Sequence, residues 1–316
     1  MSVPPTRSSS SAAAPRAGCS SWARAAARRC SARSGSVGIV AAAGTGAQEA
    51  AILLDRTGAG VSQIIGVGGR DLSAEVGGIM FAEGMRMLAD DDETETLLLV
   101  SKPPDREAVS RLGDVDVHGK RVVAAFVGWD GADAPFEIHS TLDAGAFAAA
   151  GVQAPAFDAQ ARGDGRLLGL FSGGSLAHEA VTILRPLLGS IGGNAGDGAG
   201  DGHAIYDLGE EEYTQGRPHP MVDLEVRRRM LEEAGDDVGC VLLDVVIGHG
   251  SHADPAGGLA PALERLARER PVIAHVCGTP GDPQDSERQE ETLREAGVIV
   301  APTNAAAARL AGKALA

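Results

Sequence analysis

The densest run of chemically capable residues is Tyr206–Asp223 (YDLGEEEYTQGRPHPMVD). Within it, Arg217-Pro218-His219-Pro220 fixes a stiff, extended backbone, because each proline locks its own φ and biases the preceding residue toward extended conformations. A guanidinium and an imidazole are thereby held at a set separation, with Asp207, Glu211, Glu212 and Asp223 close in sequence. A site that positions a carboxylate or phosphate would use Arg217 as a two-pronged donor and His219 as a proton carrier. A purely structural loop would instead pair Arg217 with one of those acids.

A second run closes the apolar segment Cys240–Ile247: Gly248-His249-Gly250-Ser251-His252-Ala253-Asp254-Pro255. His249, His252 and Asp254 have the residue types of a metal site. Histidines this close in a loop serve more often as hydrogen-bonding or acid–base groups, so no metal is expected and His252 joins the catalytic candidates. Asp244 lies inside the apolar segment and needs a partner, such as a helix N-terminus or Arg217. Thr279, Asp282 and Gln284 follow the next apolar segment, Pro271–Gly278, and belong to the same crevice. Cys277 has no activating neighbour in sequence and reads as packing.

These residues hang on a repeated grammar. Val37–Ala42 is a short apolar run, Gly44-Thr45-Gly46 a turn, and Ala47–Leu54 a helix. Leu167–Phe171, Ser172-Gly173-Gly174-Ser175 and Leu176–Leu184 repeat that order. Thr96–Val100, Asp105–Leu112 and Arg121–Gly128 are matched by Cys240–Ile247, Leu259–Glu269 and Pro271–Gly278. Continuous apolar strands alternating with amphipathic helices predict parallel sheets buried on both faces. The fold class is therefore α/β, with two tandem open parallel-sheet domains at 36–150 and 166–316. Ala149–Gly165 reads as the linker, and Gly192–Gly202 as a flexible insertion. Ligands in such sheets collect beyond the strands' carboxyl ends, beside helix N-termini. Both glycine turns are thus candidate anion cradles (Gly44, Thr45 and Gly46; Ser172, Gly173, Gly174 and Ser175). Neither is a P-loop, since no Gly-Lys-Ser/Thr follows.

Composition narrows the class. The chain has 316 residues, 43 Asp+Glu against 28 Lys+Arg, a formal charge of -15 and only 3% aromatic residues. That balance argues against nucleic acid, whose phosphates need a basic face. No apolar run reaches the roughly 18 residues of a membrane span. Four cysteines without paired spacing make no disulfide framework, and a cytoplasmic location is expected. Residues 1–35 carry six arginines and no Asp, Glu or Lys. They read as a disordered tail or a mis-assigned start, with a transit peptide as the alternative.

The segments SVGIVAAAGTGAQEA and VSQIIGVGGRDL resemble the ligase domain of succinyl-CoA synthetase α chains. SGGSLAHEA, DLGEEEYTQGRPHPMVD, VLLDVVIGHGSHADPA, VCGTPGDPQ and TNAAAA together resemble the FdrA family, distant relatives of that chain. The resemblance spans about residues 36–316 and implies two flavodoxin-like, ligase-type domains. It further implies a subunit that works with companion subunits on a small-molecule acid and an acyl or carbamoyl phosphate. No tightly bound cofactor is expected; Mg-ATP or CoA would enter through the complex. Two departures stand out. The CoA-binding Rossmann domain that opens such chains has no counterpart in residues 1–35. The relatives' phosphohistidine sits in a Gly-His-Ala-Gly context, whereas His139, at a similar offset after Gly128, sits in Ile138-His139-Ser140-Thr141 and reads as a loop histidine capping the next helix. Three functions follow: acid–CoA ligase chemistry through a histidine, carbamoyl transfer between carbamoyl phosphate and oxamate without one, or a non-catalytic docking subunit.

Overall fold

A computed structural model describes residues 31–131, 134–198 and 202–316. The expectations for residues 1–30 lie outside it, as does part of the Gly192–Gly202 insertion. The first half runs β1 (Ser34–Ala41), α1 (Gly44–Thr57), β2 (Val61–Gly66), α2 (Ile79–Ala89), β3 (Thr96–Ser101), α3 (Arg106–Leu112), β4 (Arg121–Phe126), β5 (Glu137–His139) and α4 (Leu142–Ala149). The second runs β6 (Arg166–Phe171), α5 (Gly174–Leu188), β7 (Ala204–Asp207), α6 (Glu211–Thr214), α7 (Glu225–Glu232), β8 (Val238–Val246), α8 (Pro255–Ala267), β9 (Val272–Cys277), α9 (Ser286–Glu295), β10 (Ile299–Ala301) and α10 (Asn304–Leu315).

Each half builds a five-stranded sheet, ordered β2-β1-β3-β4-β5 and β10-β9-β8-β6-β7, with every pairing parallel. Both read 2-1-3-4-5 within their own half, so the internal duplication of the sequence is a duplication of topology. Strands such as Val238–Val246 are buried at every position, which their unbroken apolar sequence requires once helices cover both faces. Helix starts follow ordinary capping: Asp105, Asp254 and Thr303 each accept a backbone N–H from the first turn they precede.

The halves do not stand apart. α1 and α4 cover one face of the first sheet, α5 and α10 one face of the second, and these four helices pack together in one continuous apolar core with both sheets. The outer faces have separate cores, under α2 and α3 in the first half and α7, α8 and α9 in the second. The segment Ala149–Gly165, expected to be a simple tether, lays Phe157, Ala159 and Ala161 against the shared core.

The helices also begin earlier than their apolar period suggested. Gly44-Thr45-Gly46 and Gly174-Ser175 are first turns rather than preceding loops, so their N–H groups, not loop flexibility, define the local chemistry.

Candidate functional site

The first turns of α1 and α5 meet where the two halves join. Ser175 N donates to Thr45 Oγ1 at 3.3 Å. Gly46 is wedged between β3 and α5: a Cβ there would sit 3.2 Å from Val100 Cγ1 and 3.4 Å from Ser175 Cβ. Neither helix start has a side-chain cap, so the orphan N–H groups of both first turns face the junction.

The two cradles are not equivalent. Asp244 is fully buried; its Oδ1 accepts from Ser172 N at 2.8 Å and Ser172 Oγ at 2.9 Å, and its Oδ2 accepts from Gly173 N at 2.8 Å. Arg227 holds the other side, donating to Asp244 Oδ1 at 2.9 Å and to the Asp244 carbonyl at 2.6 Å. This corrects two expectations. Ser172 and Gly173 spend their donors on an internal carboxylate; Asp244 thus meets a helix N-terminus as expected, but its cationic partner is Arg227, not Arg217. Arg227 was hidden in a charged run, VRRRMLEE, that reads as a solvated face; only its i,i+4 spacing to the buried Leu231 hinted at burial.

Asp207 approaches the same helix. A Cβ on Gly174 would overlap its carboxylate, so the close approach requires glycine. Burial, with repulsion from Glu210 and Asp244, holds the Asp207 carboxyl above its ordinary value. Its Oδ1 accepts from Gly209 N at 2.9 Å. His219 Nε2 faces it across Gly209, where a Cβ would lie 2.8 Å from the imidazole and 3.1 Å from Asp207 Oδ1. The Pro-His-Pro frame therefore delivers His219 to the strand ends beside Asp207.

The α1 cradle has no such internal carboxylate. In the first sheet, Val100 and Gly66 flank Ala41 as Asp244 and Asp207 flank Phe171 in the second. Gly44, Thr45 and Gly46 thus keep an uncommitted set of N–H groups, and nothing lies within 4 Å of a Cβ built on Gly44. Lys102 follows β3, the strand paired with β1, whose end leads into this turn. It is exposed, and its charge is felt by both Asp207 and His178 of the other half. The sequence reading passed over Lys102; its position directly after a buried strand was the available signal.

The remaining candidates divide. Arg217 is exposed, with no side-chain partner among the described residues. His249 is exposed; His252 is partly buried and its Nδ1 accepts from Asp254 N at 3.1 Å. Asp254 caps α8 and receives Gln289 at 3.0 Å, which with Arg288 holds its carboxyl below the ordinary value. Gln284 stitches the two loops together through Gly248 N, Gly248 O and His252 O. Asp282 accepts from Thr279 N and Oγ1 and from Ser31 N, and Asp223 accepts from Glu225 N at 3.0 Å. These groups shape the rim by binding one another. His139 departs from expectation: it ends edge strand β5, hydrogen-bonds Glu137 at 2.9 Å and caps nothing.

Buried polar pairs lock the halves around this junction. Gln48 donates to Ile247 O at 2.7 Å. Glu49 meets His275 Nε2 at 2.8 Å, while His275 Nδ1 faces Ala301 O at 3.1 Å. Burial alone would raise the Glu49 carboxyl; His275, Arg56 and the Cys277 thiol together hold it below its ordinary value.

Comparison with known proteins bears on this geometry. Residues 170–314 match the CoA-ligase family model. The matched stretch covers α5, Asp207, His219, Arg227 and Asp244. Over 314 residues the chain is 33% identical to the uncharacterized protein YahF of Escherichia coli K12, covering 86% of this chain and 60% of that protein. Among solved structures it is similar to PH0766 of Pyrococcus horikoshii OT3 (16% identity, TM-score 0.31). It is also similar to the dinucleotide-forming acetyl-coenzyme A synthetase 1 of Ca. Korarchaeum cryptofilum, solved with phosphate and ADP (13% identity, TM-score 0.34). Each alignment covers 89% of this chain and 64% of the solved one. The chain thus spans less than two thirds of the length of these relatives. Among the described residues no helix is long and apolar enough to cross a membrane.

Proposed function

We propose that this chain is an FdrA-like subunit of acid–CoA ligase type that binds an acyl or carbamoyl phosphate where α1 and α5 meet. One observation carries the reading: of two converging helix termini, one is filled by Asp244 and the other is left open. An oxyanion of the phosphate takes the open N–H groups of Gly44–Gly46, which suit it by direction and by helix dipole. His219 and Asp207 stand one helix terminus away, where protons must be carried. Arg217, on the exposed end of the same loop, meets the substrate's carboxylate when it enters. Mg-ATP and CoA, where used, come from companion subunits.

The position of His139 favours carbamoyl transfer over a phosphohistidine relay. Held in an edge strand, it already has a hydrogen-bond partner in Glu137. In direct transfer the oxamate nitrogen attacks the carbamoyl carbon and the carbon–oxygen bond to phosphate breaks. The nitrogen's proton passes to Asp207 or His219, and inorganic phosphate leaves. No covalent enzyme intermediate is required.

The deciding experiment uses the complex purified through this chain with its companions retained. Phosphate released from carbamoyl phosphate only when oxamate is present, and lost in His219→Gln, supports carbamoyl transfer. Acid-labile phosphate on this chain after incubation with Mg-ATP supports the ligase relay instead. A folded complex silent in both arms would leave the chain a docking subunit and overturn the proposal.

A further inference from the structure

The shared core borders a cavity of about 190 Å3 between α4, α10 and the segment that connects the halves. Phe147 reaches it from α4, Leu310 from α10 and Phe157 from the connection. Local sequence explains the gap. The connection passes α10 through Ala154, Pro155 and Ala159, and α10 presents Ala306, so short side chains meet where longer ones would close the space. Pro155 and Pro302 stiffen the lining, since each ring fixes its own φ. The inner wall is apolar: Phe147 and Leu310 are 6% and 5% exposed, and Phe157 and Ala159 pack on the same core.

The rest of the lining is cationic. Asp143 is buried and saturated: Oδ1 accepts from Thr141 Oγ1 at 2.6 Å and Ala144 N at 2.7 Å, and Oδ2 from Thr303 Oγ1 at 3.2 Å and Arg309 Nη1 at 3.0 Å. Among the described residues Arg309 has no other hydrogen-bond or ion-pair partner, and Lys313, one helical turn further along α10, has none. Two cations against one carboxylate leave the lining net positive in a chain of net -15. An apolar cavity of about 150 Å3 is large enough for benzene, so this one has room for one ring and a small polar group. The unspent edge of a guanidinium suits a carboxylate by shape as well as by charge.

We propose that this cavity binds a small apolar monocarboxylate of benzoate size. The hydrocarbon part lies among Phe147, Phe157 and Leu310, and the carboxylate meets Arg309 and Lys313. Asp143 is a like-charged wall for any second carboxylate, which sets the preference for a single negative charge. The ligand touches both halves and their connection, so its binding fastens one to the other. It uses none of the residues placed where α1 and α5 meet, and it stands or falls independently of the function proposed above.

The test is calorimetric titration of the full-length chain at pH 7.5 with benzoate and, separately, with benzyl alcohol, which keeps the ring and lacks the charge. Benzoate should bind at one site per chain, at least tenfold more tightly than benzyl alcohol, and should raise the melting temperature. Lys313→Met should weaken benzoate at least fivefold and leave benzyl alcohol within twofold of wild type, whereas Lys313→Arg should stay within threefold for both. Ala306→Leu fills the cavity without touching a charge and should abolish binding of both. Lys313 is exposed, so the melting temperature of Lys313→Met should change by less than about 2 °C, which separates lost binding from lost fold. A wild-type chain that shows no saturable binding of benzoate, or equal affinity for the two ligands, would overturn the proposal. So would benzoate binding within twofold of wild type in Lys313→Met or in a folded Ala306→Leu variant.

Discussion

Glu49 and Glu179 occupy the same place on duplicated helices, five residues past Gly44 and Gly174, and both are buried to within 1% exposure. Their partners differ. Glu49 meets His275, whereas Glu179 accepts only from Leu142 N at 2.6 Å and Asn304 Nδ2 at 2.7 Å. Burial, followed by repulsion from Asp143, pushes the Glu179 carboxyl from 4.5 up to about 8. Between those values the folded chain keeps a proton that the unfolded chain has released. Stability is therefore full below pH 4.5 and falls by about 1.4 kcal/mol per pH unit, roughly 5 kcal/mol in all, before levelling above pH 8. Glu179→Gln removes the titration. It sets an amide NH2 against Asn304 Nδ2, costing about 1–2 kcal/mol at every pH, but the slope disappears. Urea unfolding at pH 6, 7, 8 and 9 is the assay. The stability difference, variant minus wild type, should rise by about 2.7 kcal/mol from pH 6 to pH 8 and then flatten. Glu49→Gln is the control: a carboxyl held below its ordinary value contributes no slope above pH 6, so its difference curve should stay level. A level curve for Glu179→Gln would refute the claim that this carboxyl is protonated at neutral pH.

The other expectations follow from the same contacts. Arg227→Met strands the buried Asp244 and should cost about 3–5 kcal/mol in chemical denaturation; a loss under 1 kcal/mol would mean that water reaches Asp244. Gly174→Ala drives a methyl group into the Asp207 carboxylate and should cost about 1–3 kcal/mol, whereas Gly44→Ala enters open space and should leave the melting temperature unchanged or slightly raised. Arg217→Ala removes no described contact, so turnover of the native complex should fall while the melting temperature holds; an equal loss of both would return Arg217 to a structural role.

How much of this was legible beforehand depends on the range of the interaction. Duplication and the alternation of the main apolar strands with helices are written in local apolar periodicity, and the elements named from it meet the structure within a few residues. Strands Val61–Gly66, Glu137–His139 and Ala204–Asp207 and helices Ile79–Ala89, Glu211–Thr214 and Glu225–Glu232 were not read. The Pro-His-Pro frame is also local, so a stiff loop carrying His219 could be read from the residues alone, whereas its approach to Asp207 is a finding of the structure. The partner of Asp244 was not legible, because Arg227 lies 17 residues away on a helix whose charged face looks solvated. The asymmetry of the cradles was hidden for a related reason. In sequence, two glycine-rich helix starts look alike; they differ only in what the neighbouring strands place beside them, Val100 and Gly66 in one half, Asp244 and Asp207 in the other. Duplication preserved the backbone geometry of the two helix starts, and two strand-end residues decide which copy carries its own carboxylates. The difference between the halves thus lies in residues far from either glycine turn in sequence.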